Sequence, residues 1–156
     1  MSLKERPTVN PFQSLRDYEE FIYTLQQNYS AIQRSTLVVF RLSLHSAYLE
    51  GELGFTHGYR ITLVEQLSVD TRSVVIDFYG YELWQNSDKF AWYDPQPHPD
   101  NLALASTHPH HKHVPPAIKH NRAQRAPAAP EMSFTQPNLP ALIREIEALI
   151  AKTGVK

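Results

Sequence analysis

Apolar residues recur at three- and four-residue steps near each end of the chain. The first such stretch predicts an amphipathic helix over roughly residues 15–30. Ser14 is suited to cap this helix, and Asp17 adds an acid to its first turn. The apolar positions are Leu15, Tyr18, Phe21, Ile22, Leu25 and Tyr29. Residues 1–13 hold two prolines and little periodicity, which predicts a flexible lead-in.

The second stretch predicts a helix that starts after Asn138 and stops before Gly154. Pro140 lies in the first turn, where its missing N–H costs nothing. The apolar stripe consists of Leu139, Leu142, Ile143, Ile146, Leu149 and Ile150.

Between residues 36 and 94 the period changes to two, which is typical of strands with one apolar and one polar face. The pattern divides into four to five strands, with turns predicted at residues 56–58 and 86–88. The connections are too short for crossover helices, so we expect an antiparallel meander. The predicted fold class is α+β, with the N-terminal and C-terminal helices packed on one face of the sheet.

Residues 95–137 have a different composition from the rest of the chain. They contain nine of the twelve prolines and six of the eight histidines. Proline prevents regular structure, so this segment is expected to be a long Pro/His-rich loop. A connection of this length is usually functional or disordered.

Length and composition limit the classes of protein to which the chain can belong. A chain of 156 residues suits one domain, predicted here over residues 14–156 with the long loop included. The absence of cysteine excludes disulfides and thiolate metal sites. A net charge of −1 means that the chain as a whole has no positive electrostatic field to attract nucleic acid. No apolar run is long enough to span a membrane. We therefore expect a cytoplasmic protein without a cofactor.

The strongest chemical signal is a cluster of imidazoles at His108, His110, His111 and His113, with Lys112 among them. Imidazole donates and accepts protons near neutral pH. This combination suits phosphodiester cleavage through a 2′-hydroxyl, with one histidine as base, a second as acid and a cation for the phosphate. Two alternatives remain open. The segment could be a surface loop with exposed histidines, or it could bind zinc or nickel, although its spacing matches no closed zinc site.

Two further residues stand out on the predicted strands. Glu65 alternates onto the apolar face of its strand, where a carboxylate is costly unless it is paired or useful, although a strand end open to solvent would also explain it. Tyr79 is assigned to the polar face, where a flat ring can stack on a base. For Trp84, Trp92 and Tyr93, ordinary packing is the favoured interpretation.

The end of the meander and the long loop supply the remaining candidates. Asp94 and His98 could form a carboxylate–imidazole pair, or Asp94 could simply bond the backbone of a proline-rich turn. A local basic set that includes Lys119, His120 and Arg122 could contact phosphates, or it could be a solvated loop.

A combination of motifs resembles one known family. Trp92-Tyr93-Asp94 and Pro97-His98 are followed by the string Pro-His-His-Lys-His at 109–113 and by an amphipathic C-terminal helix. This order resembles the TumE family of toxins from toxin–antitoxin systems. Glu65 and a strand tyrosine, Tyr79 or Tyr81, fit the same pattern. The resemblance covers about residues 15–150, and its specific part is residues 92–113. The connection between His98 and His110 is longer here than in the family pattern.

The resemblance implies a growth-inhibiting toxin that is neutralised by an antitoxin encoded beside it and that acts on nucleic acid, RNA foremost. The first hypothesis is therefore a metal-independent ribonuclease toxin. Its predicted catalytic residues are His110, His111, His113, Lys112 and Glu65. Its predicted substrate-binding residues are Tyr79, Tyr93, Asp94, His98, His108 and Arg122. The alternatives are a binding module without catalysis and a metal-binding protein. A second copy of the chain, in a homodimer, is a further candidate partner.

Overall fold

A computed structural model of the chain describes residues 10–95, 110–115 and 132–153. The predicted site residues His98, His108 and Arg122 lie outside these ranges, as do Lys119, His120 and most of the predicted lead-in and loop.

The described residues form three α-helices and seven strands. The helices are α1 (Leu15–Tyr23), α2 (Leu25–Asn28) and α3 (Leu139–Thr153). The strands are β1 (Arg34–Ser35), β2 (Val38–Ser43), β3 (Ser46–Gly54), β4 (Tyr59–Asp70), β5 (Ser73–Gln85), β6 (Asp88–Asp94) and β7 (His111–His113). Single 3₁₀ turns lie at Pro11–Gln13 and Thr56–Gly58.

All described strand pairs are antiparallel, and the strand order is β1-β3-β4-β5-β6-β7, with β2 also paired to β3. The α+β class, the meander and the terminal helices are confirmed. The predicted strand count of four to five is wrong, because β1 and β7 are also present. These strands have two and three residues, which is too short to show a period, and each forms by pairing with a longer strand.

The N-terminal helical stretch is interrupted once. Ser14 caps α1 as predicted, with its hydroxyl oxygen accepting from the Asp17 N–H at 3.0 Å. Thr24 separates α1 from α2, and its hydroxyl donates to the Glu20 carbonyl at 2.7 Å. A threonine that bonds back to the preceding turn competes with the regular helix ladder, which accounts for the break.

Both helical ends of the chain cover the same face of the sheet. Tyr18 of α1 and Asn138, which precedes α3, both reach buried side chains of β4 and β5. The core lies in this layer, where leucine and isoleucine side chains of β3, β4 and β5 are fully enclosed. We call this side of the sheet the covered face and the other side the open face.

An irregularity in β5 decides where Tyr79 lies. Gln66 of β4 is opposite Phe78, but the next residue, Leu67, is opposite Ile76, so Asp77 is an extra residue in β5. A bulge of this kind shifts the alternation of the side chains by one position. Tyr79 is therefore on the covered face and fully buried, and its predicted place on the polar face is wrong.

Candidate functional site

Strand β7 divides the histidine string between the two faces of the sheet. His113 is opposite Trp92 and His111 is opposite Asp94, whereas Lys112 between them is opposite Tyr93. Opposite residues of an antiparallel pair share a face, and successive residues alternate. The string therefore does not form one cluster, and its two halves have different neighbours.

On the open face, Asp94, Trp92 and His113 are in direct contact. Asp94 Oδ2 lies 3.1 Å from His113 Nε2. The His113 ring stacks on Trp92 with 5.0 Å between the ring centroids and 14° between the planes. His111 is the neighbouring imidazole, 6.2 Å from His113 between centroids, and it is 6% exposed. This arrangement holds a carboxylate–imidazole pair against an aromatic ring, with a second imidazole nearby.

Trp92 and Asp94 stand at one end of a groove on the open face. The groove has a volume of about 620 Å³ and runs across the sheet from Val38 and Phe40 to Trp92 and Asp94. Gly80 lies along its floor, opposite Val64 of β4. A glycine there leaves the floor without a side chain, so the groove stays open between its two ends.

Cationic and aromatic side chains alternate along one side of the open face. The Arg60 guanidinium lies 4.5 Å from the centre of the Trp84 ring. The Lys89 ammonium lies 5.7 Å from Trp84 and 4.7 Å from Trp92, and it pairs with Glu82 at 2.8 Å. We call Arg60, Trp84, Lys89 and Trp92 the cation–aromatic ladder. Such rows suit bases, which stack on rings, and phosphates, which attract cations.

Sequence reasoning missed the cationic members of this ladder and favoured plain packing for both tryptophans. Arg60 alternates with the apolar residues Tyr59 and Ile61 of its strand, which was a usable signal. Lys89 comes to the same face through an irregularity between Leu83 and Trp84 that puts it opposite Trp84. That pairing depends on the register of two strands, so no local pattern could have revealed it.

On the covered face, Glu65 is fully buried, as its place in the alternation predicted, so the alternative of a solvent-exposed strand end is wrong. Its carboxylate accepts hydrogen bonds from the hydroxyls of Tyr18 and Tyr81. The Tyr81 hydroxyl in turn accepts from the Asn138 side chain at 3.0 Å. This network joins α1, the sheet and the start of α3.

Burial dominates the electrostatics of this network. Loss of hydration raises the pKa of Glu65 from 4.5 to about 7, and the hydrogen bonds from Tyr18 and Tyr81 oppose the rise. Burial also raises the pKa of both phenols well above the ordinary value of 10, with the nearby Glu65 charge adding to the effect. The phenols therefore stay protonated and act as donors to the carboxylate.

His110 also belongs to the covered face. Its Nδ1 shares a hydrogen bond with the Tyr79 hydroxyl, and its ring packs on Phe134 with 4.7 Å between centroids. Tyr79 stacks on Tyr81, 4.9 Å away, which links this pair to the buried network. Burial, and secondarily Asp94, raise the pKa of the Tyr79 phenol, so it retains its proton.

Lys112 is held by α3 instead of facing the groove. Its ammonium pairs with Glu145, and both side chains are mostly buried. The other carboxylate oxygen of Glu145 accepts from the Tyr93 hydroxyl, and Lys112 lies 5.4 Å from the centre of the Tyr93 ring. Burial and Glu145 raise the pKa of Tyr93. This cluster attaches β7 to α3.

The predicted site residues thus fall into separate groups. Asp94 lines the groove, His113 contacts Asp94 beside it, and His111 lies next to His113. Tyr79 pairs with His110 and Tyr93 with Lys112 on the covered face, and Glu65 is enclosed beneath α1. The predicted partner of Asp94, His98, lies outside the described residues.

No group of three or more His, Asp or Glu side chains in residues 10–95, 110–115 and 132–153 is arranged to hold a metal ion. None of the helices in these ranges is both long and apolar enough to cross a membrane.

Comparison with known proteins gives one match. The model of the family described as Toxin TumE matches residues 21–150, which is most of the chain. No curated protein and no solved structure is significantly similar to it.

Proposed function

The chain belongs to the TumE toxin family, and we propose that it inhibits growth by cutting RNA at the open-face groove. Family membership makes it a toxin with a cognate antitoxin as its partner. The cleavage, the RNA substrate and the residue roles below are our proposal. In it, His113 is the general base, His111 is the general acid and Trp92 holds a base of the RNA.

The contact between Asp94 and His113 carries this proposal. The Asp94 carboxylate lies 3.1 Å from His113 Nε2 and orients the imidazole. The stacked Trp92 fixes the plane of the ring. Catalytic histidines are commonly oriented in this way by a third group. The pair lies beside the end of the groove, where a substrate can approach.

The proposed reaction transfers the phosphoryl group from the 5′-oxygen to the 2′-oxygen within the RNA. The His113 imidazole takes the proton of a ribose 2′-hydroxyl, and the 2′-oxygen forms a bond to the adjacent phosphorus. The bond from phosphorus to the 5′-oxygen breaks, and His111 gives its proton to that oxygen. The products are a 2′,3′-cyclic phosphate and a 5′-hydroxyl. Lys89 stabilises the charge on the phosphate, the role that the sequence had suggested for Lys112.

The cation–aromatic ladder supports the choice of a nucleic acid as substrate. Trp84 and Trp92 offer flat rings to bases, and Arg60 and Lys89 offer charge to phosphates. In this proposal Glu65, Tyr79, Tyr93, His110 and Lys112 support the fold and do not touch the substrate.

Two histidine variants test the proposal directly. The purified chain is incubated with a short single-stranded RNA, and the products are separated and examined for the cyclic phosphate. We expect His113→Ala to lower the rate about 10²- to 10⁴-fold, the usual contribution of a general acid or base. We expect His110→Ala, from the covered face, to leave the rate within a few-fold of the parent when the protein is folded.

The controls separate chemistry from folding. An RNA with a 2′-deoxy sugar at the cut site should resist cleavage, because the nucleophile is missing. Circular dichroism should show that both variants keep their secondary structure. Equal losses in the two folded variants, or cleavage of the deoxy substrate, would show that the assigned mechanism is wrong.

The ladder also favours a second candidate, an RNA-binding toxin that does not cut. Stacking and cation contacts suffice for binding without any proton transfer. This candidate predicts that the parent binds single-stranded RNA and leaves it intact. It is rejected if the parent cuts RNA at a rate that His113→Ala abolishes.

A further inference from the structure

Exposed apolar side chains lie along the sheet edge opposite β7. Val38 and Phe40 of β2 face the open side, Leu42 is the extra residue at an irregularity between Arg41 and Ser43, and Leu44 follows in the turn. These four side chains are 40%, 42%, 66% and 89% exposed. We call these four residues the apolar strip. Surfaces of this kind mark interaction sites in soluble proteins. Of the described residues, only Tyr23 is another large apolar side chain with comparable exposure.

The apolar strip continues into the groove. Val38 and Phe40 line the end of the groove opposite to Trp92 and Asp94. The strip therefore shares one surface with the site proposed for cleavage. A partner seated on Val38 and Phe40 covers an entrance to that site.

The charge beside the strip indicates the chemistry of the partner. Glu50 is opposite Val38 on the open face and is exposed. Within the described ranges it makes no ion pair. A second copy seated strip on strip would bring two Glu50 side chains into one interface. A protein segment with apolar residues and a lysine or arginine is complementary to both features.

The backbone edge of β2 is partly occupied, which favours docking through side chains. The Val39 N–H donates to the Tyr23 hydroxyl at 2.9 Å, and Arg41 pairs with Glu19 at 2.8 Å. Both contacts come from α1 and lie on the outer side of β2. An added strand would have to displace them, whereas the side chains of the strip are accessible without any rearrangement.

We propose that the cognate antitoxin docks on the apolar strip with an amphipathic segment that carries a cation for Glu50, and that this segment closes the groove. The closure of an active groove rests on the proposed function, whereas the docking does not. The antitoxin thus neutralises the toxin by occupying the path of the RNA and does not need to alter the fold.

The test uses single charge insertions. Leu42→Asp and Leu44→Asp place a carboxylate on the strip at positions outside the groove lining. Ser87→Asp adds the same charge at the exposed hairpin tip between β5 and β6 and is the matched control. Each protein is titrated calorimetrically with the purified product of the adjacent gene, the expected antitoxin. We expect the Kd to rise at least tenfold for the two strip variants and to stay unchanged for Ser87→Asp.

A growth assay adds a second readout. Each strip variant should arrest growth like the parent when expressed alone, and co-expression of the adjacent gene should no longer rescue it. Glu50→Lys should also weaken binding, because it places like charges together.

The outcomes separate the two proposals. Unchanged affinity in both strip variants overturns the docking proposal, as does failure of the parent chain to bind the adjacent gene product. A dimeric parent that becomes monomeric in the strip variants, with antitoxin affinity retained, would instead identify the strip as a contact between copies. A strip effect on affinity together with no RNA cleavage by the parent would leave docking intact and refute only the proposed function.

Discussion

The buried carboxylate of Glu65 makes folding stability depend on pH in a predictable direction. Its pKa is about 7 in the folded chain against 4.5 as the ordinary value, so the unfolded chain loses this proton first as the pH rises. Between these values the folded state binds more protons than the unfolded state. Stability from this group is therefore fully present below pH 4.5 and is lost as the pH rises to about 7.

The size of the effect follows from the difference between these two pKa values of Glu65. A tenfold change in an ionisation constant corresponds to about 1.4 kcal/mol, so the full loss is about 3 kcal/mol. Domains are stable by about 5–15 kcal/mol in total, which makes such a change measurable. Glu65→Gln keeps the size of the side chain and cannot ionise, so the free energy of unfolding of the variant lacks this contribution to the pH dependence.

The assay is urea unfolding followed by tryptophan fluorescence at several pH values from about 4.5 to 8.5. The quantity of interest is the difference in unfolding free energy between the parent and Glu65→Gln, because contributions common to both proteins cancel from it. We expect this difference to fall by about 3 kcal/mol across the range. Glu50→Gln, an exposed carboxylate on the open face, is the control and should follow the parent. A difference that is flat, or that rises with pH, would refute the reasoning.

Three further predictions test the fold and the ladder. Gly51→Ala should lower the free energy of unfolding in urea by about 2 kcal/mol, because Gly51 has φ +141° and a Cβ would lie 2.6 Å from the Thr36 carbonyl oxygen. A loss under about 0.5 kcal/mol would contradict this. Lys112→Met and Glu145→Gln should each lower the free energy of unfolding by about 1–2 kcal/mol, and a double-mutant cycle should give a coupling energy of about 1 kcal/mol. Additive losses would mean that the ion pair contributes nothing to stability. Trp92→Ala should weaken binding of single-stranded RNA by about 1–3 kcal/mol in a fluorescence titration, and unchanged binding would remove Trp92 from the interface.

The candidate site was predictable only in part. The histidine string lies in the segment that supplies His113. Asp94 was predicted to pair with His98 or with a turn, whereas in the structure it contacts His113 and His98 lies outside the described residues. The residues that are adjacent in this string are separated in the structure, because residues 111–113 form a strand and its alternation puts His111 and His113 on one face and Lys112 on the other. The strand forms only because the edge of β6 is available to pair with it.

The burial of Glu65, in contrast, was predicted correctly. Its period-two alternation placed it on the buried face, because the four residues that share this face of its strand are apolar. The same rule failed for Tyr79 one strand later, because the extra residue at Asp77 reverses the phase. A bulge is a property of two paired strands, so the pattern of one strand does not contain it.

By itself, the sequence determined the helices at both ends, the antiparallel order of the long strands and the buried position of Glu65. These follow from short-range periodicity, caps and turns, which act between residues a few positions apart. Tertiary structure alone decided that Asp94 meets His113, that Lys89 lies between two tryptophans and that Lys112 joins α3. Those contacts depend on which strand edges pair and in which register, and these are fixed by packing between residues distant in the chain.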